Sequence, residues 1–165
     1  MPAEVKIPLL TFVRYRTNQE DNMEYYVNAH MKHFNLLISE IDEAYHEAAL
    51  SLGLSDSAML ILYTVCWHGG ECPLGRITSG ASKQTINSAL RKLEAEGIVC
   101  LESCGGRKKK VCLTDSGYQF AKDSVFHLIE MENEIFGSWS DEEINSYIGL
   151  TQRYLTDFRE KIKEL

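Results

Sequence analysis

The chain has 165 residues, enough for one domain of ordinary size or one domain with an added arm. Hydrophobic residues make up 44% and charged residues 25%, a globular profile rather than a disordered one. No stretch reaches the roughly 18 consecutive apolar residues of a membrane span. The segment Ile7 to Val13 is interrupted by Pro8 and lacks a signal-peptide layout. Net charge is −7, which taken whole argues against a nucleic-acid partner. The distribution reverses that reading. Arg76 to Cys112 carries eight basic and three acidic residues, net +5, leaving −12 for the rest. Screening cuts surface electrostatics off within about 8–10 Å, so the contacting face, not the total, decides attraction to phosphate. Five cysteines, an odd number with no Cys-x-x-Cys pair, fit free thiols in a reducing, cytoplasmic setting.

Residues 1–22 show no period and read as an N-terminal arm of unassigned role. From Met23, apolar and aromatic residues at Tyr26, Phe34, Leu37, Ile38, Ile41, Tyr45, Ala48 and Ala49 recur mostly at steps of three or four. That spacing predicts a first helix running to about Ser51. Ser55 is a suitable N-cap for a buried second helix over 56–68, which Gly69-Gly70 ends. A short third helix is expected over 73–79, weakened by Gly75. Ser82 caps a fourth, whose stripe Ile86, Ala89, Leu90, Leu93 faces inward and whose end is marked by Gly97. The opposite face carries Lys83, Gln84, Thr85, Asn87, Ser88, Arg91 and Lys92. Strands over 98–102 and 110–113 form a hairpin with a cationic tip. In that hairpin, pairing Glu102 with Lys110 sets Cys100 opposite Cys112. A fifth helix is predicted over 114–136. A last helix follows to about Lys163, opened by a Ser140/Glu143 capping box.

Helix, helix, turn, helix and two-stranded hairpin is the order of a winged helix-turn-helix. The expected fold is mainly α with a small β-hairpin wing, an α+β arrangement. Its segments are the arm 1–22, the first helix 23–54, the winged helix-turn-helix 55–115 and the C-terminal helices 116–165. The major groove admits one helix. Gln and Asn can bond adenine there, and Arg and Lys favour guanine or phosphate. Gln84, Thr85, Asn87, Ser88 and Arg91 are therefore the candidate major-groove residues, with Lys83 and Arg91 also near phosphates and Ser82, at the helix cap, a further DNA-binding candidate. Arg107, Lys108 and Lys109 are the candidate wing contacts to minor groove or backbone.

The run Ser82-Lys83-Gln84-Thr85-Ile86-Asn87-Ser88-Ala89-Leu90-Arg91-Lys92-Leu93-Glu94-Ala95-Glu96-Gly97 resembles the recognition helix of the MarR family of bacterial transcription regulators. Arg107 with Leu113-Thr114 and Gly117 resembles that family's wing and the start of its fifth helix. The resemblance covers about residues 23–165 in element order. It implies a homodimer on palindromic double-stranded DNA, with the first and last helices building the dimer interface. It also implies a repressor, and in many members release by a small aromatic ligand. Tyr26, His30, Phe34, Tyr63 and Trp67 are the candidate lining for such a ligand. Three departures stand out. Gly105-Gly106-Arg107 keeps the wing arginine and lacks the family's aspartate, the third helix contains Gly75, and the N-terminal arm has no general counterpart.

Other readings use other residues. A redox- or metal-responsive regulator would draw on Cys100, Cys104 and Cys112 in the wing, or on His30 and His33 of the first helix. A winged-helix protein-interaction module would need no DNA. Peroxide sensing of the family's type is not expected, because no cysteine precedes Cys66. No catalytic constellation, cofactor motif or metal-ligand pattern is recognised, and no enzymatic activity is expected.

Overall fold

The computed structural model describes residues 10–14, 24–77, 82–106 and 108–165, with residues 10–14 and 24–27 described by their backbone. The chain divides into two compact units, Met1–Asp56 and Ser57–Leu165.

In the first unit, β1 (Leu10–Arg14) pairs antiparallel with β2 (Glu24–Asn28), from Leu10 opposite Asn28 to Arg14 opposite Glu24. Helix α1 (Ala29–Ser51) follows directly. This corrects the expected first helix in two ways. It begins at Ala29 rather than Met23, and part of the arm is a strand. Tyr25-Tyr26-Val27 are strand-favouring residue types. Asn28 then supplies the cap, its side chain accepting from the backbone N–H groups of His30 (2.9 Å) and Met31 (3.2 Å). Only Ala29 and Ala49 of α1 are buried, while Leu36, Leu37, Ile38, Ile41 and Tyr45 are exposed.

The second unit opens with α2 (Asp56–Trp67), whose Ala58, Met59, Ile61, Leu62 and Val65 are buried. A three-residue strand β3 (Glu71–Pro73), absent from the expected elements, leads into α3 (Leu74–Ile77). Helix α4 (Lys83–Ala95) buries Ile86, Leu90 and Leu93. It closes in a Schellman turn. Gly97 takes φ +69° and its N–H donates to the Glu94 carbonyl, while the Ile98 N–H donates to the Leu93 carbonyl at 2.9 Å. β4 (Val99–Ser103) and β5 (Lys109–Leu113) form the hairpin, and β3 adds to the free edge of β5, giving the order β3-β5-β4. Pro73 is tolerated because β3 is an edge strand.

The expected fifth helix is two helices, α5 (Asp115–Lys122) and α6 (Val125–Gly137). The break falls at Ser124, buried, with φ −139° and ψ −90°. Its hydroxyl donates to the Phe120 carbonyl at 2.6 Å, so that carbonyl is satisfied without a continuing helix. Helix α7 (Asp141–Ile162) starts with both halves of the Ser140/Glu143 capping box formed. Those hydrogen bonds from Ser140 hold the Glu143 carboxyl below its ordinary range. No residue of α7 is buried. No single helix among the described residues is long and apolar enough to cross a membrane.

Candidate nucleic-acid interface

Helix α4 is amphipathic because its apolar residues recur at 86, 90 and 93 and the residues between them are mostly polar. Burying Ile86, Leu90 and Leu93 fixes which side faces out. Lys83, Gln84, Thr85, Asn87, Ser88, Arg91 and Lys92 are all exposed. Ser82 does the capping. Its Oγ accepts from the Thr85 backbone N–H at 3.1 Å and sits 2.6 Å from the Thr85 hydroxyl. These two hydroxyls are thus engaged with each other, although both stay exposed. The dipole of the capped helix end further favours an approaching phosphate.

The wing tip turns through Gly105 (φ +94°) and Gly106 (φ +60°), and the Cys104 N–H donates to the Lys108 carbonyl at 2.9 Å. Two consecutive residues in the left-handed region suit glycine. An aspartate at either position would be strained, which gives the two glycines a backbone reason. Arg107 lies outside the described residues.

Between the wing, α3 and α4 lies an open groove of about 730 Å³. Pro73, Leu74 and Gly75 contribute its neutral lining, with Arg76, Lys83, Asn87, Lys108 and Lys109. Four cations and an amide, with no carboxylate among the lining residues, make a surface complementary to a phosphate backbone. Among the described residues, Lys83, Arg91, Lys108 and Lys109 make no ion pair with an acid. Lys110 differs. Its amine bonds Glu71 at 2.5 Å and Glu102 at 3.3 Å across the sheet, and those hydrogen bonds push its pKa above the ordinary lysine range. The tip therefore presents Lys108 and Lys109 outward and keeps Lys110 for the strands.

The groove joins Lys83 and Asn87 to Lys108 and Lys109, four of the residues singled out from sequence. Gln84, Thr85, Ser88 and Arg91 are exposed on the same helix but do not line it. Arg76 is a groove residue that sequence reasoning misses. Its signal is its place at the start of the basic block, and the weak pattern of the short helix around Gly75 conceals it.

The candidate ligand residues are distributed differently. Tyr63 and Trp67 pair on α2 with ring centroids 6.1 Å apart, and the Tyr63 hydroxyl donates to Glu132 of α6 at 2.5 Å. Trp67 is 61% exposed. His30 and Phe34 lie one turn apart on α1, both exposed. Tyr26 falls on β2 rather than on the helix expected for it, and its side chain lies outside the described residues. His33 is exposed, and His46 Nδ1 lies 2.8 Å from Asp56.

No family model matches the sequence, and no curated protein matches it. Solved structures match in fold. A MarR family regulator from Neisseria meningitidis superposes with a TM-score of 0.72 at 17% identity, covering 82% of this chain and 97% of that one. The S. aureus MepR–DNA complex gives 0.56 at 19% identity, over 76% and 94% of the two chains. The organohalide-sensing regulator RdhR-CbdbA1625, in its ligand-free form, gives 0.51 at 17%, over 80% and 79%. With α4 as its third helix-turn-helix element and the β4–β5 hairpin as its wing, this chain has the fold of the MarR family regulators.

Proposed function

We propose that the protein is a sequence-specific, double-stranded DNA-binding transcriptional regulator. The observation that carries this reading is the groove in which Arg76, Lys83, Lys108 and Lys109 surround Asn87 without an opposing acid. Phosphate contacts position a protein on the duplex, and the side chains beside them read base edges. Lys108, Lys109 and Arg107 serve the first role on the wing. Gln84, Asn87, Ser88 and Arg91 serve the second from α4, and Ser82, Lys83 and Thr85 meet the backbone at the helix start. The likeness to a solved regulator–DNA complex supports the same docking.

The active species in this reading is a homodimer. Helix α7 leaves Tyr147, Ile148, Leu150, Leu155, Phe158 and Ile162 uncovered, and α1 leaves its own apolar row uncovered. Apolar rows of this length call for a covering surface, and a second copy supplies one with two-fold symmetry. A palindromic operator then mirrors the dimer. The regulator acts as a cytoplasmic repressor, released by a small aromatic ligand. Support for release comes from the family resemblance and from the organohalide-sensing regulator of the same fold; within the second unit, the Tyr63–Trp67 pair is the proposed aromatic contact.

Selection of bound sequences from a pool of random duplexes tests the reading. The expected result is enrichment of one inverted repeat with half-site centres about one helical turn, roughly 34–36 Å, apart. Arg107→Ala should enrich the same repeat more weakly. A pool that stays random after several rounds would reject sequence-specific binding.

A further inference from the structure

The three-stranded sheet has an inner and an outer face. Cys72, Val99 and Val111 belong to the inner face and are fully or nearly fully buried. Register places the other set together. Glu71 of β3 opposes Cys112 of β5, which opposes Cys100 of β4, and two residues along, Lys110 opposes Glu102. One small face thus carries two thiols, two carboxylates and one amine. The thiol sulfurs of Cys100 and Cys112 and a carboxylate oxygen of Glu102 all lie within 4.8 Å of one another.

Two thiols in register invite a disulfide, but the ladder argues against one. The Thr114 N–H donates to the Ile98 carbonyl, and the Cys104 N–H to the Lys108 carbonyl. Hydrogen-bonded pairs alternate along an antiparallel ladder, so Cys100–Cys112, lying an even number of steps from both, is a hydrogen-bonded pair. Opposed Cβ atoms there stand near the wide end of about 4.5–5.5 Å, whereas a disulfide needs about 3.8 Å. An ion between the sulfurs removes the mismatch. Zinc–sulfur bonds of about 2.3 Å and zinc–oxygen bonds of about 2.0–2.2 Å let the three ligand atoms stand roughly 3.5–4 Å apart around a tetrahedron. The cluster, with its three ligand atoms within 4.8 Å of one another, lies close to that spacing.

We propose that Cys100, Cys112 and Glu102 form a binding site for a divalent cation of the zinc class, with water in the fourth position. The mixed sulfur and oxygen donor set favours zinc over harder cations such as magnesium or calcium. Lys110 does not block it. The Lys110–Glu102 contact is the longer of its two, and releasing Glu102 leaves the amine with Glu71. Burial first, and the neighbouring Glu102 charge second, push the Cys112 thiol above its ordinary pKa. Uptake of one cation forms two metal–sulfur bonds and one metal–oxygen bond, and releases two protons to the buffer. The site's existence is independent of DNA binding.

Cobalt(II) is the probe, titrated into reduced, metal-free full-length protein. One ion per chain should bind, with a thiolate charge-transfer band and the intense visible absorption of a tetrahedral centre, and zinc should displace it. Cys100→Ser should abolish the band, Glu102→Gln should weaken binding by roughly tenfold or more, and Cys104→Ser, in the exposed tip, should change nothing. Circular dichroism confirms that each variant is folded. No thiolate band at one equivalent, or the same band in the Cys100→Ser protein, overturns the proposal. So does a reduced protein that takes up no cobalt but forms a Cys100–Cys112 disulfide under mild oxidant.

Discussion

Replacing both Lys108 and Lys109 with alanine is expected to reduce the salt slope of DNA binding by roughly 2, about 1 for each phosphate left without its lysine. Affinity at physiological salt should fall on the order of tenfold for every sequence alike, because lysine–phosphate pairing carries no sequence information. Both side chains are exposed and unpaired with acids among the described residues, so folding should not change. Asn87→Ala makes the complementary case. Asn87 lies in the same groove but on helix α4, the helix proposed to read the bases. Its loss should cost about 1–3 kcal/mol on the preferred operator and relax the requirement at one base position, leaving the salt slope unchanged. Titrations of both variants at three salt concentrations separate the two roles. Equal slopes for wild type and the double-lysine variant would remove the wing from the interface.

Gly117→Ala should be the most damaging single methyl group in the second unit. A Cβ at Gly117 would stand 1.8 Å from the Ile98 carbonyl oxygen and 2.8 Å from its carbon. Both are backbone atoms and cannot rotate away. The surroundings are also fixed by hydrogen bonds. The Thr114 hydroxyl accepts from the Gly117 N–H at 2.9 Å and donates to the Gly97 carbonyl at 2.5 Å, and the Ser116 hydroxyl donates to that same carbonyl at 2.7 Å. This knot ties the exit of α4 to the entry of α5, with the wing between them in the chain. Separating it should cost about 3 kcal/mol or more. For a chain of this size that is a fall in Tm of roughly 6–12 °C. Gly149→Ala is the control. It sits inside α7 with open space around its Cβ direction, and alanine there should stabilise by about 0.5–1 kcal/mol. Thermal melts of the two variants that moved in the same direction would contradict the packing described here.

Local chemistry makes much of this fold legible in advance. Ser82, Gly97 and the Ser140/Glu143 box act within a few residues of themselves, so α4 and α7 emerge nearly as expected. The hairpin itself is readable from two short strands and a glycine turn, but its register is conditional in the sequence on Glu102 facing Lys110, the pairing the structure adopts. Non-local choices are not. Glu71-Cys72-Pro73 is too short to show a period and becomes a strand only because β5 offers an edge. Tyr26 fits a helical spacing as well as a strand, and pairing of 24–28 with 10–14 decides between them. At Ser124 there is neither glycine nor proline to announce a break, and a buried hydroxyl bonding Phe120 makes it. The interface shows the same division. Helical period reveals the polar face of α4, whereas the place of Arg76 and the paired state of Lys110 depend on how α3, β3 and the wing meet.

Reading of duplex DNA by the α4–wing groove is tested most directly by equilibrium binding. The purified protein is titrated with its own upstream DNA and with a scrambled duplex of equal length, across a salt series. A preference for the upstream duplex of about a thousandfold or more is expected, with affinity falling steeply as salt rises. Weak, equal binding to both duplexes with a shallow salt slope would contradict it.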